Sequence, residues 1–272
     1  MTKRRLVGAA ALLLSTGCSA LSPTGARPSP ATAHQTTASA PRATRAAPAT
    51  STPAPSRDAG RTPGPTTLVS RYGDFPSFAA TGMPKSVVVR ARPGGKVSHT
   101  LANPQPSGAP LTFLVRRLQG NWLEVYLPVR PNGSTGWVRS RDVAVAGISH
   151  RVDVHVGDHR LDLFDRDKRI ATYPIGVGTQ NTPTPGGVFY LKELLRPTNK
   201  GGVYGPFAYG LSGFSNVLTE FSGGEGVIGI HGTNDESTVG KDVSHGCIRL
   251  RNADITRLAT LLPLGTPVRI IA

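Results

Sequence analysis

A mainly β fold is what this sequence predicts: a small barrel, then a β-sandwich-like domain with mixed sheets and one short C-terminal helix. Three observations carry that expectation. Aromatic residues make up 6% of the 272, while Gly and Pro number 32 and 24, a mix that suits turn-rich β-structure joined to a disordered stretch. From Met83 onward, apolar residues recur in short runs broken by Gly, Pro and Asn. Near the end, NADITRLATLLP carries a helical period.

The order of segments begins with an export signal over residues 1–17. Lys3, Arg4 and Arg5 precede an apolar run from Leu6 to Leu14, and that run is too short for a membrane-spanning helix, which takes roughly 20 residues. A positive start, a short apolar middle and a small-residue end are the parts of a secretory signal. Ser15-Thr16-Gly17-Cys18 resembles the lipobox of bacterial lipoproteins, which implies lipidation of Cys18; an ordinary signal with Cys18 incidental is the alternative. Residues 18–82 then read as a tether rich in Pro, Ala, Ser and Thr. It is too poor in large apolar residues to offset its ordering entropy.

Residues 83–146 contain KSVVVRARPGG, LTFLVRRLQGNWLEVYLP and STGWVRSRDVAVAG. Val87, Val89, Trp122 and Val125 supply apolar positions for a small barrel, and core packing is the favoured role for Trp122 and Trp137. The phrase NWLEVYLPVRPNGSTGWVRSRDV resembles bacterial SH3-like modules found beside cell-wall enzymes. In residues 147–272, RVDVHVGDHRLDLFD alternates around Gly157-Asp158, a hairpin signal. KRIATYPIGVGT, GGVFYLKELL and TPVRIIA read as further strands. In NADITRLATLLP, Asn252 is the expected N-cap, Asp254 sits in the first turn and Pro263 stops the helix. Ile255, Leu258, Ala259 and Leu262 share its inner face.

Charge is uneven along the chain. Residues 1–65 hold eight Lys/Arg against one acid, 66–147 ten against three, and 148–272 thirteen against twelve. A basic front on a neutral rear suits attachment to something anionic. Nucleic acid is not the expected partner: zinc-finger spacing, aromatic-basic interleaving and a recognition-helix pattern are all absent.

The chemistry concentrates in IGIHGTNDESTVGKDVSHGCIRL, Ile228 to Leu250. Strand alternation puts Ile228 and Ile230 on one face and Val227, Gly229 and His231 on the other, with Gly229 leaving open space beside the imidazole. The same rule puts Ile248 and Leu250 inside, and Cys247 with Arg249 outside. His245 joins them only if Gly246 keeps the chain extended. Three readings compete: a buried structural thiol, a zinc site of His231, His245 and Cys247, and a thiol nucleophile with a histidine base. The nucleophile uses every part, with backbone N–H groups near Gly246 facing an oxyanion and Arg249 pairing a carboxylate.

These residues also closely resemble the signature of bacterial L,D-transpeptidases, a histidine followed by Ser/Thr-His-Gly-Cys. TPTPGGVFYL, GTPVRII and YGPFAYGLSGFSNVL are similar to other parts of that domain. The resemblance implies Cys247 as nucleophile, His231 as base and His245 as a further catalytic residue. It implies Ser244, Gly246 and Gly232 in the oxyanion and positioning shell, and Arg249, Tyr209 and Ser212 at the substrate. The implied reaction is peptidoglycan cross-linking between third-position stem residues through a thioester, with neither metal nor organic cofactor. A water acceptor (an L,D-carboxypeptidase), a non-catalytic wall-binding scaffold and a thiol protease are the alternatives. The implied partners are stem peptides, a membrane reached by the lipid anchor, and anionic wall material bound by Arg90, Arg92, Arg116, Arg117, Arg139 and Arg141. The implied location is the outer face of the bacterial cytoplasmic membrane or the cell wall.

Overall fold

The computed structural model describes residues 67–220 and 224–272. The expected signal, Cys18 and residues 18–66 of the expected tether lie outside the described residues. Among the described residues, no helix is long and apolar enough to cross a membrane.

The first folded part opens with a short helix, α1 (Leu68–Tyr72). It is closed by a reciprocal cap: the Ser70 N–H donates to the Thr67 hydroxyl and the Thr67 N–H to the Ser70 hydroxyl. Seven strands follow: β1 (Ser77–Gly82), β2 (Ser86–Arg90), β3 (Val97–Ala102), β4 (Thr112–Gln119), β5 (Trp122–Tyr126), β6 (Thr135–Arg139) and β7 (Val143–Ile148). They form one sheet in the order β3-β2-β6-β5-β4-β1-β7, antiparallel throughout. Val87 and Val89 alternate into its core beside Phe113, Leu123 and Val125, and Trp137 is buried. Trp122 is only half-buried and lies under the Arg139 guanidinium.

One boundary needs correction. The tether was expected to run to residue 82, yet α1 and β1 precede that point, and β1 pairs with both β4 and β7. Phe78, Ala79 and Ala80 are all buried in succession, so this inner strand lacks the alternation that marks a half-exposed one.

The second part holds β8 (His150–His155), β9 (Arg160–Asp165), β10 (Lys168–Pro174), β11 (Val177–Gly178), β12 (Gly187–Leu195), β13 (Ala208–Phe214), β14 (Val227–His231), β15 (Asp242–Ser244), β16 (Ile248–Arg249), helix α2 (Asn252–Leu261) and β17 (Pro267–Ile271). An eight-stranded sheet runs β10-β9-β8-β17-β12-β13-β14-β16, with β11 and β15 as a separate pair. The pairing is mixed, as expected: β17 with β8, β14 with β16 and β11 with β15 are parallel. Val152, Val154, Leu161 and Leu163 from one end of the sheet share a core with Ile228, Ile230 and Ile248 from the other. The sheet therefore curls over itself, and Ile255, Leu258 and Leu262 of the α2 segment pack into the enclosed space.

The helix begins at its expected cap, one residue earlier than the sequence implied. Arg251 occupies the N-cap position without a side-chain bond, and Asn252 is the first helical residue. Its side chain is engaged elsewhere: Oδ1 accepts from the Thr233 N–H at 2.9 Å.

Candidate active site

Strands β14 and β16 lie side by side and parallel, with Ile230 opposite Ile248 and His231 opposite Arg249. The isoleucines anchor both strands in the core. That anchoring turns the intervening positions, Gly229, His231, Cys247 and Arg249, to the other face. The expected alternation holds through β14, while Cys247 stands in the turn just before the two-residue β16.

Gly229 is the hinge of the arrangement. A Cβ placed on it would stand 3.9 Å from the Cys247 sulfur and 3.9 Å from Cδ2 of His231. Gly229 therefore borders both the thiol and the imidazole, and a side chain there would crowd the Tyr209 carbonyl at 2.9 Å. The Gly229 N–H points at the sulfur, with N···S 3.4 Å. His231 is 4% exposed, and its Nδ1 lies 2.6 Å from the Gly232 carbonyl oxygen. A carbonyl can only accept, so Nδ1 carries the proton in the neutral ring and Nε2, next to Cδ2, keeps its lone pair. The Tyr204 ring packs edge-on against the imidazole, centroids 4.9 Å apart.

Burial sets the protonation of both groups. It holds the His231 imidazole down to about 4; the Gly232 carbonyl opposes this and the Arg249 charge reinforces it. Burial also pushes the Cys247 thiol up, against the Gly229 N–H and the Arg249 charge. Near neutral pH the pair is a thiol beside a neutral imidazole, which suits proton removal during attack rather than a preformed ion pair.

The turn before Cys247 is held from below. The Ser244 hydroxyl donates to the Cys247 carbonyl at 2.6 Å and accepts from the Gly246 N–H at 3.0 Å. The Ser244 carbonyl accepts from the Thr179 N–H and the Thr182 hydroxyl, each at 3.1 Å. Gly246 has φ +110°, and a Cβ there would meet Ile228 Cδ1 at 2.9 Å and the Pro183 carbonyl at 3.3 Å. Only glycine fits.

Two cavities meet at this pair. One of about 360 Å3 is lined by Glu193, Tyr204, Gly229, His231, Cys247 and the segment Gly224 to Val227. The other, about 220 Å3, is lined by Val203, Tyr204, His231, Ser244, His245, Cys247 and Arg249. Tyr204, His231 and Cys247 belong to both.

Several expected roles need correction. Gly246 does not keep the chain extended, so His245 turns outward to an exposed position while still lining the smaller cavity. The Gly246 N–H is spent on Ser244 and is not open to an oxyanion. Tyr209 does line the larger cavity, but its hydroxyl is engaged by the helix, donating to the Leu262 carbonyl at 2.8 Å at the end of α2. Ser212 accepts from the Tyr190 N–H at 3.1 Å and is buried between β12 and β13. Gly232 positions His231 through its carbonyl. It packs against Gly205 and Asn252, where a Cβ would collide with the Asn252 side-chain oxygen. Arg249 does line the smaller cavity, with its Nε buried and unpartnered. Tyr204, Thr182 and Asn252 were not foreseen. Tyr204 lay within the segment YGPFAYGLSGFSNVL, where only a contact could single it out over Tyr209. His231, His245 and Cys247 do not form a metal-ligand set, and no three His, Cys, Asp or Glu side chains do so among the described residues.

Comparison with known proteins bears on this geometry. The YkuD family, an L,D-transpeptidase catalytic domain, matches residues 149–270. The protein YkuD of Bacillus licheniformis is 40% identical over 123 residues, covering 45% of this chain and 66% of that protein. YkuD of Bacillus subtilis is 34% identical over 150 residues, covering 53% of this chain and 83% of that protein. An L,D-transpeptidase structure from Mycobacterium tuberculosis H37Rv is a fainter likeness, TM-score 0.40 at 16% identity over 58% of this chain and 70% of that one. With Cys247 and His231 inside the matched span, and most of the B. subtilis protein covered at that identity, this chain belongs to the L,D-transpeptidase family.

Proposed function

We propose that this chain joins two peptidoglycan stem peptides through a thioester on Cys247. His231 Nε2 takes the thiol proton as sulfur attacks the carbonyl before a terminal D-Ala. The C–N bond breaks, His231 returns the proton to the departing amine, and D-Ala leaves. The side-chain amine of a second stem then attacks the thioester, giving up its proton to His231, and the thiol is released. With the Gly246 N–H already committed to Ser244, the Cys247 N–H is the donor we assign to the oxyanion. Arg249 takes a carboxylate of the donor stem.

The observation that carries this reading is the pair of cavities sharing Cys247 and His231. A thiol reached from both sides of Tyr204 suits a reaction with two large substrates. The test is incubation with a tetrapeptide stem, with and without a second stem carrying a free side-chain amine. The reading predicts D-Ala release together with a cross-linked dimer. D-Ala release with only tripeptide would indicate water as the acceptor, and no release would end the acyl-transfer reading.

The proposal extends to location. An exported chain anchored by a lipidated Cys18 to the outer face of the membrane would hold this site against the wall. The antiparallel first sheet would then act as an SH3-like module meeting anionic wall material.

A further inference from the structure

We propose that Arg130, in the connection between β5 and β6 of the first sheet, is a positioning residue for the larger cavity. The first sheet would then help shape the site where Cys247 meets substrate. This rests on the acyl-transfer reading above. One guanidinium reaches three backbone carbonyls of the connection between β13 and β14. Nη1 donates to Ser215 O at 2.9 Å, and Nη2 donates to Leu218 O at 3.1 Å and Glu225 O at 2.9 Å. Ser215 and Leu218 lie on the outgoing arm and Glu225 on the returning one, so the same side chain fastens both. The guanidinium also lies over the Phe214 ring, 4.8 Å from its centroid.

Asn132, two residues on, completes the clamp. Its side chain donates to the Phe214 carbonyl at 2.8 Å and accepts from the Phe214 N–H at 2.9 Å, as a neighbouring strand would. The returning arm, Gly224 to Val227, is a wall of the cavity that holds Cys247 and His231. Gly226, at φ +67°, packs against the outgoing arm so closely that a Cβ would collide with the Leu218 carbonyl, one of the three that Arg130 holds. A planar fork of five donors can satisfy three carbonyls at once, which a lysine ammonium cannot do in the same geometry. Contact between the sheets alone does not require this. Gln105 also crosses between them, donating to Pro110 O and, on β12, to Lys192 O, each at 3.0 Å, rather than to carbonyls of the β13–β14 connection.

The experiment uses the full chain and its Arg130→Ala, Arg130→Lys and Gln105→Ala variants. Cys247 is alkylated with iodoacetamide and with a bulky fluorescein maleimide, and steady-state kinetics are measured with the tetrapeptide stem and an amine acceptor. For both Arg130 variants we expect an unchanged iodoacetamide rate, a bulky-to-small ratio raised about three-fold or more, and a KM raised about 10-fold with kcat within about two-fold. Gln105→Ala should match the parent. Arg130 variants with the parent's ratio would overturn the proposal. So would a parallel fall in kcat and iodoacetamide reactivity, or the same shift in Gln105→Ala. The lysine variant decides the matter if the alanine variant does not fold. A parent that releases no D-Ala defeats the acyl-transfer reading alone, because the alkylation ratio needs no substrate.

Discussion

At the scale of single residues, the site depends on what is missing at Gly229 and on how His231 is buried. Gly229→Ala would bring a methyl group 2.9 Å from the Tyr209 carbonyl oxygen, so β14, which carries His231, would have to shift beside the thiol. Acylation should fall by about 10²-fold or more in a protein that still folds, read by stopped-flow acylation beside a melting curve. Replacing His231 by Ala should cost about 10²–10⁴-fold if it is the base. Because burial holds its imidazole down to about 4, the parent's acylation rate should stay level on lowering the pH from about 8 to about 5 and fall through pH about 4. The same shift has a consequence for stability. The unfolded chain titrates His near 6.5 and binds the proton more readily than the folded one. The stability His231 leaves intact above pH 6.5 is therefore lost as pH drops towards 4, by about 3 kcal/mol. Urea midpoints across that window should show a shallower slope in His231→Ala than in the parent.

At the scale of elements, Cys247, the proposed nucleophile, stands on a turn rather than on a strand. Ser244 closes that turn by joining the Gly246 N–H to the Cys247 carbonyl, and the segment from Thr179 to Thr182 supports it from beneath. Ser244→Ala leaves a buried N–H and a carbonyl without their shared partner. It should lower stability by about 1–3 kcal/mol and slow acylation more than alkylation by iodoacetamide, which needs no oxyanion donor. Guanidinium unfolding and the two rate constants check this. Strands β14 and β16 were legible in advance because alternating isoleucines declare which face is buried, and the gap beside Gly229 followed from that. The turn was not legible in the same way. Gly246 takes a left-handed conformation, so His245 leaves the face that an extended chain would give it. Tyr209 and Ser212 stood in the right segment, but their hydroxyls are claimed by α2 and by β12. Asn252 has the chemistry of a helix cap and is used one residue later to hold the loop after His231.

At the scale of the molecule, the first sheet was only partly foreseen. Strand β3 has no fully buried residue and β1 buries three in a row, so neither declares a core face by alternating buried with exposed positions. Its basic side chains are also less free than their number suggests. Arg116 and Arg117 converge on Glu124, Arg117 lies over Trp137 and Arg139 over Trp122. If this sheet binds anionic wall polymer by charge, retention on purified wall should weaken steadily towards 1 M salt, where the Debye length is about 3 Å. Co-sedimentation at graded ionic strength measures it. Arg92→Ala should reduce retention more than Arg116→Ala.

The central claim is that Cys247 forms the thioester, and intact-protein mass spectrometry of the chain mixed with a tetrapeptide stem tests it most directly. The account predicts a mass gain equal to the stem less D-Ala, located on the peptide containing Cys247 and absent from Cys247→Ala. An adduct that persists in Cys247→Ala, or D-Ala release by that variant at the parent's rate, would contradict it.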